Sequence, residues 1–94
     1  MHGEPQPISA FTVVSRQSPT FPRYAVARSD GGWVEVEFTV SRTGRVTDAE
    51  VRQASASLFV EPSLDAIRDW RFEPVLMDGR PVPARGVLRF TFRP

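Results

Sequence analysis

The side chains in this sequence that could carry out chemistry are mainly carboxylates, serines and one histidine. Glu35 and Glu37 are two residues apart, a spacing that places both carboxylates on one face of a strand. Two neighbouring carboxylates can serve as general acid and general base. Trp33 and Thr39 fall on the same face, opposite the apolar residues of this stretch, so we interpret it as the solvent-facing side of a strand and not as a catalytic pair.

Other kinds of catalytic or binding site lack the residues they need. The single histidine, His2, is next to the amino terminus, and the chain has no cysteine, so neither a nucleophile–histidine–acid arrangement nor a cysteine-ligated metal site is predicted. Ser57 and Ser63 are interpreted as helix-start residues. The remaining carboxylates lack the dense spacing of a calcium loop. The sequence therefore predicts no enzyme, no cofactor and no metal site.

Length and charge narrow the class of protein further. A chain of 94 residues is long enough for one small core, and it has no run of about 20 apolar residues that could span a membrane. The 12 basic and 11 acidic residues are interleaved and give a net charge of +1. Such a surface has no concentrated field for a polyanion. We therefore expect no nucleic acid as partner, and the missing catalytic groups predict no small-molecule substrate either.

The elements that must position any site begin after a proline-containing start. Residues 1–15 are interpreted as the end of a linker, with a short strand over 11–15, and residues 16–94 as the domain. Pro22 favours a short helix that runs to about Arg28. From Trp33 to Val40 apolar and polar residues alternate, which predicts a strand with one buried face.

A hairpin follows this strand. Gly44 is available for a positive φ in the loop, and residues 46–54 form the returning strand. Val46 and Val51 are the strongest apolar residues of that strand, yet their separation places them on opposite faces. Either a bulge lies between them or one of them is exposed, and the sequence leaves both alternatives open.

The main helix is predicted to start near Val60 to Pro62 and to bury Leu64, Ile67 and Trp70 against the sheet. Trp70 ends this apolar stripe, and Pro74 prevents the helix from continuing, so the chain leaves extended through Phe72.

A turn at Asp78-Gly79 then leads to a final strand in which Leu88, Phe90 and Phe92 share one face. The predicted fold class is α+β, a small antiparallel sheet of about three main strands with two helices packed on one face.

The order and spacing of these motifs resemble the C-terminal domain family of TonB, the energy transducer of Gram-negative bacteria. The similarity runs from about Arg16 to Phe92. The matching residues are Pro19, Phe21, Pro22 and Ala25, then Gly32, Val34, Val36, Phe38 and Val40, then Gly44, Arg45, Val46 and Asp48, then Ala66, Trp70, Arg71, Phe72 and Pro74, and finally the turn Asp78-Gly79-Arg80-Pro81-Val82.

The resemblance implies a periplasmic domain that is tethered to the inner membrane in the complete protein. Its implied partners are the TonB box and plug of outer-membrane TonB-dependent transporters and an ExbB/ExbD-type inner-membrane motor. Work derived from the proton-motive force would drive active uptake, as in siderophore transport. The alternative is a stand-alone interaction or regulatory scaffold with the same fold and no motor.

A partner peptide is expected to add as a further strand to the edge of the last strand. Arg89 and Arg93 would flank it, with Arg16 to Phe21 approaching from the other side. The expected partner-binding residues are Arg16, Gln17, Ser18, Pro19, Phe21, Val87, Leu88, Arg89, Phe90, Thr91 and Phe92, and the expected structural residues are Trp70, Phe72, Pro74 and Gly44.

Two further expectations concern the same edge. The stretch Phe11 to Ser15 is predicted to occupy it and to be displaced by a partner peptide. The edge is also open to pairing with a second copy of the domain, which would give a homodimer through edge strands.

Overall fold

The computed structural model describes residues 4–23 and 31–93, and its main layer is a four-stranded sheet. The strands of this sheet are β1 (Gln6–Pro7), β3 (Gly32–Val40), β4 (Val46–Ala54) and β8 (Ala84–Phe92), and they lie side by side in the order β1-β8-β3-β4. The three long strands pair antiparallel, whereas β1 pairs parallel to β8. The predicted α+β class and the three main strands are confirmed.

Alternation along the long strands gives the sheet one buried face. Val34, Val36, Phe38 and Val40 of β3 are at most 1% exposed, and Phe90 and Phe92 of β8 join them in the core. The intervening residues lie on the opposite face, which we call the outer face.

A bulge resolves the ambiguity in the returning strand. Val40 pairs with Val46 whereas Thr39 pairs with Asp48, so β4 carries one extra residue there. The bulge changes which residues of β4 face the core, and both Val46 and Val51 pack against it. A second register shift occurs between Glu35 and Val36 of the partner strand β3.

The helix α1 (Val60–Arg68) covers the buried face of the sheet and follows a 3₁₀ turn at Ser57–Phe59. Phe59, Ala66 and Ile67 are buried, and Leu64 packs at the margin of the core. Ser63 is fully buried and its hydroxyl donates to the Phe59 carbonyl at 2.9 Å. Ser57 is the first residue of the 3₁₀ turn that leads into α1 and Ser63 lies in the first turn of α1, as their interpretation as helix-start residues predicts, although neither the 3₁₀ turn nor α1 has a side-chain capping bond. The helix predicted from Pro22 to about Arg28 lies largely outside the described residues.

The exit from α1 depends on packing and not on Pro74. The helix ends at Arg68, well before that proline, and Trp70 and Phe72 are buried at 5% and 3% exposure. Directly after Trp70 the chain becomes β5 (Arg71–Phe72), which pairs antiparallel with β2 (Val13–Ser15). The prediction that Pro74 stops the helix was wrong, because α1 ends before the residues that this proline restricts, and the extended backbone that follows lets Trp70 and Phe72 face the same buried side.

Two turns use positive φ angles. Gly44 in the β3–β4 loop has φ +86°, and its carbonyl accepts the Phe72 N–H at 2.8 Å, which ties the loop to β5. Asp78 and Gly79 both have positive φ and join β6 (Val75–Met77) to β7 (Arg80–Val82) in a separate hairpin. Positive φ at both central residues is the type I′ geometry that matches strand twist.

Residues 6–15, which we call the N-terminal segment, pack on the domain although their sequence is typical of a linker end. After β1 a 3₁₀ turn at Ile8–Ala10 redirects the chain towards the buried face. The Phe11 ring then lies 5.9 Å from that of Phe38 and 5.6 Å from that of Phe72. The cause is the apolar character of Ile8, Phe11 and Val13, all of which pack against the core.

Candidate functional site

The outer edge of β8 is the expected site, and the structure shows how much of it is covered. β8 pairs with β3 along its whole length, from Ala84 to Phe92. On its other side β1 pairs with Gly86 and Val87. Across residues 4–23 and 31–93, no strand pairs with the outer side of Leu88 to Phe92. This stretch therefore presents an open edge.

Hydrogen bonds at the start of β3 determine which backbone groups point out from that edge. The Trp33 N–H donates to Ser55 Oγ and its carbonyl accepts the Ser55 N–H, both at 2.9 Å, so both groups of Trp33 face β4. Trp33 is opposite Thr91 in the register, and the groups of an antiparallel strand alternate in direction. The N–H and C=O of Thr91 and Arg89 therefore point away from β3, towards the open edge.

Side chains of the expected binding residues divide between the two faces. Phe90 and Phe92 are 7% and 4% exposed and belong to the core, and Leu88 packs at its margin. Arg89 and Thr91 are exposed on the outer face, and Val87 is half-buried there. A partner strand would thus meet backbone groups from Arg89 and Thr91, whereas the phenylalanines set the position of the strand.

Arg89 lies across the sheet instead of extending from the edge. Its Cζ is 4.2 Å from the centroid of the Trp33 ring, and its Nη2 is 3.7 Å from a carboxylate oxygen of Glu35. A cation over an indole face is held by the ring quadrupole. Arg89 therefore flanks the site from the outer face, and the exposed Arg93 follows just beyond the end of β8.

The carboxylates considered as a catalytic pair are both in ion pairs. Glu35 and Glu37 on the central strand lie between Arg52 on β4 and the arginines of β8. Arg85 contacts Glu37 from β8. Each carboxylate thus has a guanidinium partner on both sides, which supports a structural role for them on the outer face.

The stretch Arg16 to Phe21 lies on the helix side of the sheet. The Trp70 Nε1–H donates to the Gln17 carbonyl at 2.9 Å, and the Arg16 guanidinium is 5.6 Å from the centroid of the Trp70 ring. The Phe21 ring packs against Phe59 and, at 6.0 Å, against Phe92. Arg16, Gln17 and Ser18 are exposed, and Pro19 is half-buried. The two predicted parts of the site thus meet at the carboxyl end of β8.

The segment at the edge of β8 differs from the predicted one. Phe11 to Ser15 do not pair with β8: Val13–Ser15 pairs with β5, because Phe11 and Val13 pack into the core beside Phe72. Gln6–Pro7 occupies the edge instead. Sequence reasoning missed this strand, and the only signal was the lone aromatic residue Phe11, which anchors the chain a few residues later.

The described residues hold no group of three or more His, Cys, Asp or Glu side chains arranged to bind a metal. None of their helices is both long and apolar enough to cross a membrane.

Comparison with known proteins identifies the family. The profile of the family described as "Gram-negative bacterial TonB protein C-terminal" matches residues 17–94. The chain belongs to this TonB C-terminal domain family. Protein TonB of Pseudomonas aeruginosa is 36% identical over 76 residues, which are 80% of this chain and 22% of that protein. Protein TonB of Escherichia coli K12 is 37% identical over 62 residues, 65% of this chain and 26% of that protein.

Solved structures of TonB domains have the same fold. The solution NMR structure of the Pseudomonas aeruginosa TonB C-terminal domain has a TM-score of 0.76 at 30% identity and covers 94% of this chain and 92% of its own. The TonB2 protein of Vibrio anguillarum has a TM-score of 0.65 at 23% identity, covering 99% of this chain and 86% of its own, and at that identity supports the fold alone. This TonB C-terminal domain spans about a quarter of the length of the two full-length relatives compared above.

Proposed function

We propose that this domain is the periplasmic, receptor-binding end of a TonB-type energy transducer. It binds the TonB box of outer-membrane TonB-dependent transporters by strand addition to the outer edge of β8. Pulling on the bound box transmits work derived from the proton-motive force to the transporter plug and drives active uptake, for example of siderophores. Family membership supports this assignment, and the geometry of β8 suggests how the box is held.

The proposal depends on one observation. The backbone N–H and C=O groups of Arg89 and Thr91 point outward, on an edge with which no strand of the described residues pairs. Strand addition obtains its affinity from such main-chain bonds and tolerates varied side chains in the partner. This suits a domain that serves several transporters. The contact area is small, so we expect an affinity for the box alone that is on the order of micromolar or poorer.

In the complete protein, an ExbB/ExbD-type motor would supply the work and an inner-membrane anchor would keep the domain in the periplasm.

The same edge of β8 can pair with that of a second copy, which would give a homodimer in competition with the box. Box binding that weakens as the domain concentration rises would reveal this competition.

The test titrates isotope-labelled domain with TonB-box peptides and uses a matched pair of variants at Thr91. Thr91→Pro removes one outward N–H, and an edge position facing solvent is where a strand tolerates proline. Thr91→Val keeps that N–H in a β-branched residue. We expect the peptide to shift NMR signals over Val87 to Phe92 and Arg16 to Phe21. The Thr91→Pro variant should bind the peptide roughly tenfold more weakly, and the Thr91→Val variant should bind it with nearly unchanged affinity.

Equal affinities for the proline and valine variants, with both folded by their amide spectra, would argue against backbone strand addition. Shifts confined to the β4 edge of the sheet would assign the partner to another surface.

A further inference from the structure

The amino-terminal end of the β8 edge is already occupied by this chain. Gln6 and Pro7 pair in parallel with Gly86 and Val87. Val87 is two residues before Arg89, so its N–H and C=O also point outward, and β1 lies directly against them. Pro7 lies opposite Val87, and at this position the backbone N–H of any residue would point away from β8. Proline lacks only this N–H. The pairing therefore loses nothing through this residue.

β1 is held in place by the anchor that follows it. A Cβ added at Gly86 would lie 2.7 Å from Phe11 Cε2, so the Phe11 ring rests directly on the backbone of β8 at the paired position. The Glu73 N–H donates to the Thr12 carbonyl at 2.9 Å, and β2 continues the attachment to β5. The N-terminal segment is thus fixed at its far end while β1 itself is exposed.

We propose that β1 is a register stop for the incoming strand. A partner peptide pairs alongside Leu88 to Phe92 and ends at Pro7, the residue of β1 nearest Leu88, so that β1 sets both the length and the register of the paired segment. This inference rests on the proposed function, because it assigns a specificity-determining role at the same edge. It differs from displacement of the whole N-terminal segment, since the Phe11 anchor stays in the core.

The experiment compares two peptides on three chains by calorimetry. One TonB-box peptide is just long enough to face Leu88 to Phe92. The other has two more residues at each end, so that one of its ends reaches Val87 whether it pairs parallel or antiparallel to β8. The chains are the full chain, a chain lacking residues 1–7, and a matched control lacking residues 1–5, in which β1 remains.

For the chain lacking residues 1–7, we expect the longer peptide to bind roughly tenfold more tightly than it binds the full chain, because it gains the outward N–H of Val87, which Gln6 no longer covers. The short peptide should bind all three chains equally, and the control should match the full chain. A longer peptide that gains nothing, or a short peptide that gains as much as the longer one, would overturn the register stop. Absence of binding by the short peptide to every chain would instead contradict the proposed function.

Discussion

At the scale of single residues, Trp70 connects the core to the stretch that the proposal places near the partner. Its ring lies 5.9 Å from that of Phe72 and 6.0 Å from that of Phe90, inside the core. Its Nε1–H donates to the backbone carbonyl of Gln17, which is distant in sequence. One side chain therefore contributes to stability and also fixes the path of the chain before Phe21.

Two substitutions of Trp70 separate these contributions. Trp70→Ala should lower the free energy of unfolding by about 3–5 kcal/mol, as expected for loss of a large buried ring. Trp70→Phe keeps an aromatic ring and removes the donor, so a loss of about 1–2 kcal/mol is expected. Chemical denaturation measures both. A Trp70→Phe variant as stable as the parent would show that the bond to Gln17 contributes nothing, and a loss below about 1 kcal/mol for Trp70→Ala would contradict its place in the core.

Gly44 and Gly79 form a matched pair for testing the loop contact with β5. Both have positive φ, at +86° and +79°, so alanine is strained at either position. A Cβ at Gly44 would lie 2.0 Å from the Phe72 carbonyl oxygen, whereas a Cβ at Gly79 meets nothing within 4 Å. Gly79→Ala should cost about 1–2 kcal/mol, and Gly44→Ala clearly more, because the backbone of β5 must also move. If thermal unfolding shows the same loss of stability for both variants, the close contact between Gly44 and Phe72 does not contribute to stability.

At the scale of elements, the N-terminal segment behaves as part of the domain. Its polar and proline-containing first residues carry little apolar area, yet Ile8, Phe11 and Val13 cover one end of the core. The four-stranded sheet and the small β2–β5 sheet are linked through this segment. Removing the Phe11 ring should therefore lower the stability of the whole domain and not only that of its amino terminus.

Phe11→Ala tests this attachment, with Val14→Ala as the control. Phe11 contacts two core rings, whereas Val14 on β2 is 63% exposed. We expect Phe11→Ala to lose about 2–4 kcal/mol of stability and Val14→Ala less than about 0.5 kcal/mol. Hydrogen exchange at Val87 should also accelerate in the Phe11 variant, because β1 loses its anchor. An unchanged exchange rate at Val87 would show that the Phe11 contact does not hold β1 in place.

At the scale of the whole molecule, the net charge is small, and the outer face carries paired charges of both signs. Net charge is +1, and arginines on β4 and β8 pair with the two glutamates of β3. These pairs join half-exposed arginines to partly buried glutamates, and together they leave no strong field of one sign on this face. Recognition through backbone groups is consistent with such a surface.

Salt dependence of binding follows from this balance. The affinity for a TonB-box peptide should change less than about threefold when ionic strength rises from about 0.05 to about 0.5 M, because main-chain bonds are not screened as exposed ion pairs are. Calorimetric titrations at several salt concentrations measure this. A steep loss of affinity, removed by Arg89→Gln, would show that the Arg89 charge contributes substantially to binding.

Local patterns in the sequence were sufficient for part of this fold and not for the rest. The buried face of β3, the apolar stripe of α1 and the Asp78-Gly79 turn follow from side-chain periods and turn chemistry within a few residues. The β8 edge as the binding site stays a prediction, made from the open edge expected of the last strand and from the partner that the resemblance implies. Contacts between distant residues decided the rest. The bulge in β4 depends on pairing with β3, and the end of α1 on the burial of Trp70 and Phe72.

The path of residues 6–15 and the outward groups of Arg89 and Thr91 were likewise settled in three dimensions. The first depends on Phe11 reaching Phe38 and Phe72, and the second on Trp33 bonding to Ser55. No local pattern encodes such pairings, because each is chosen by the free energy of burying surface and satisfying backbone groups across the whole sheet.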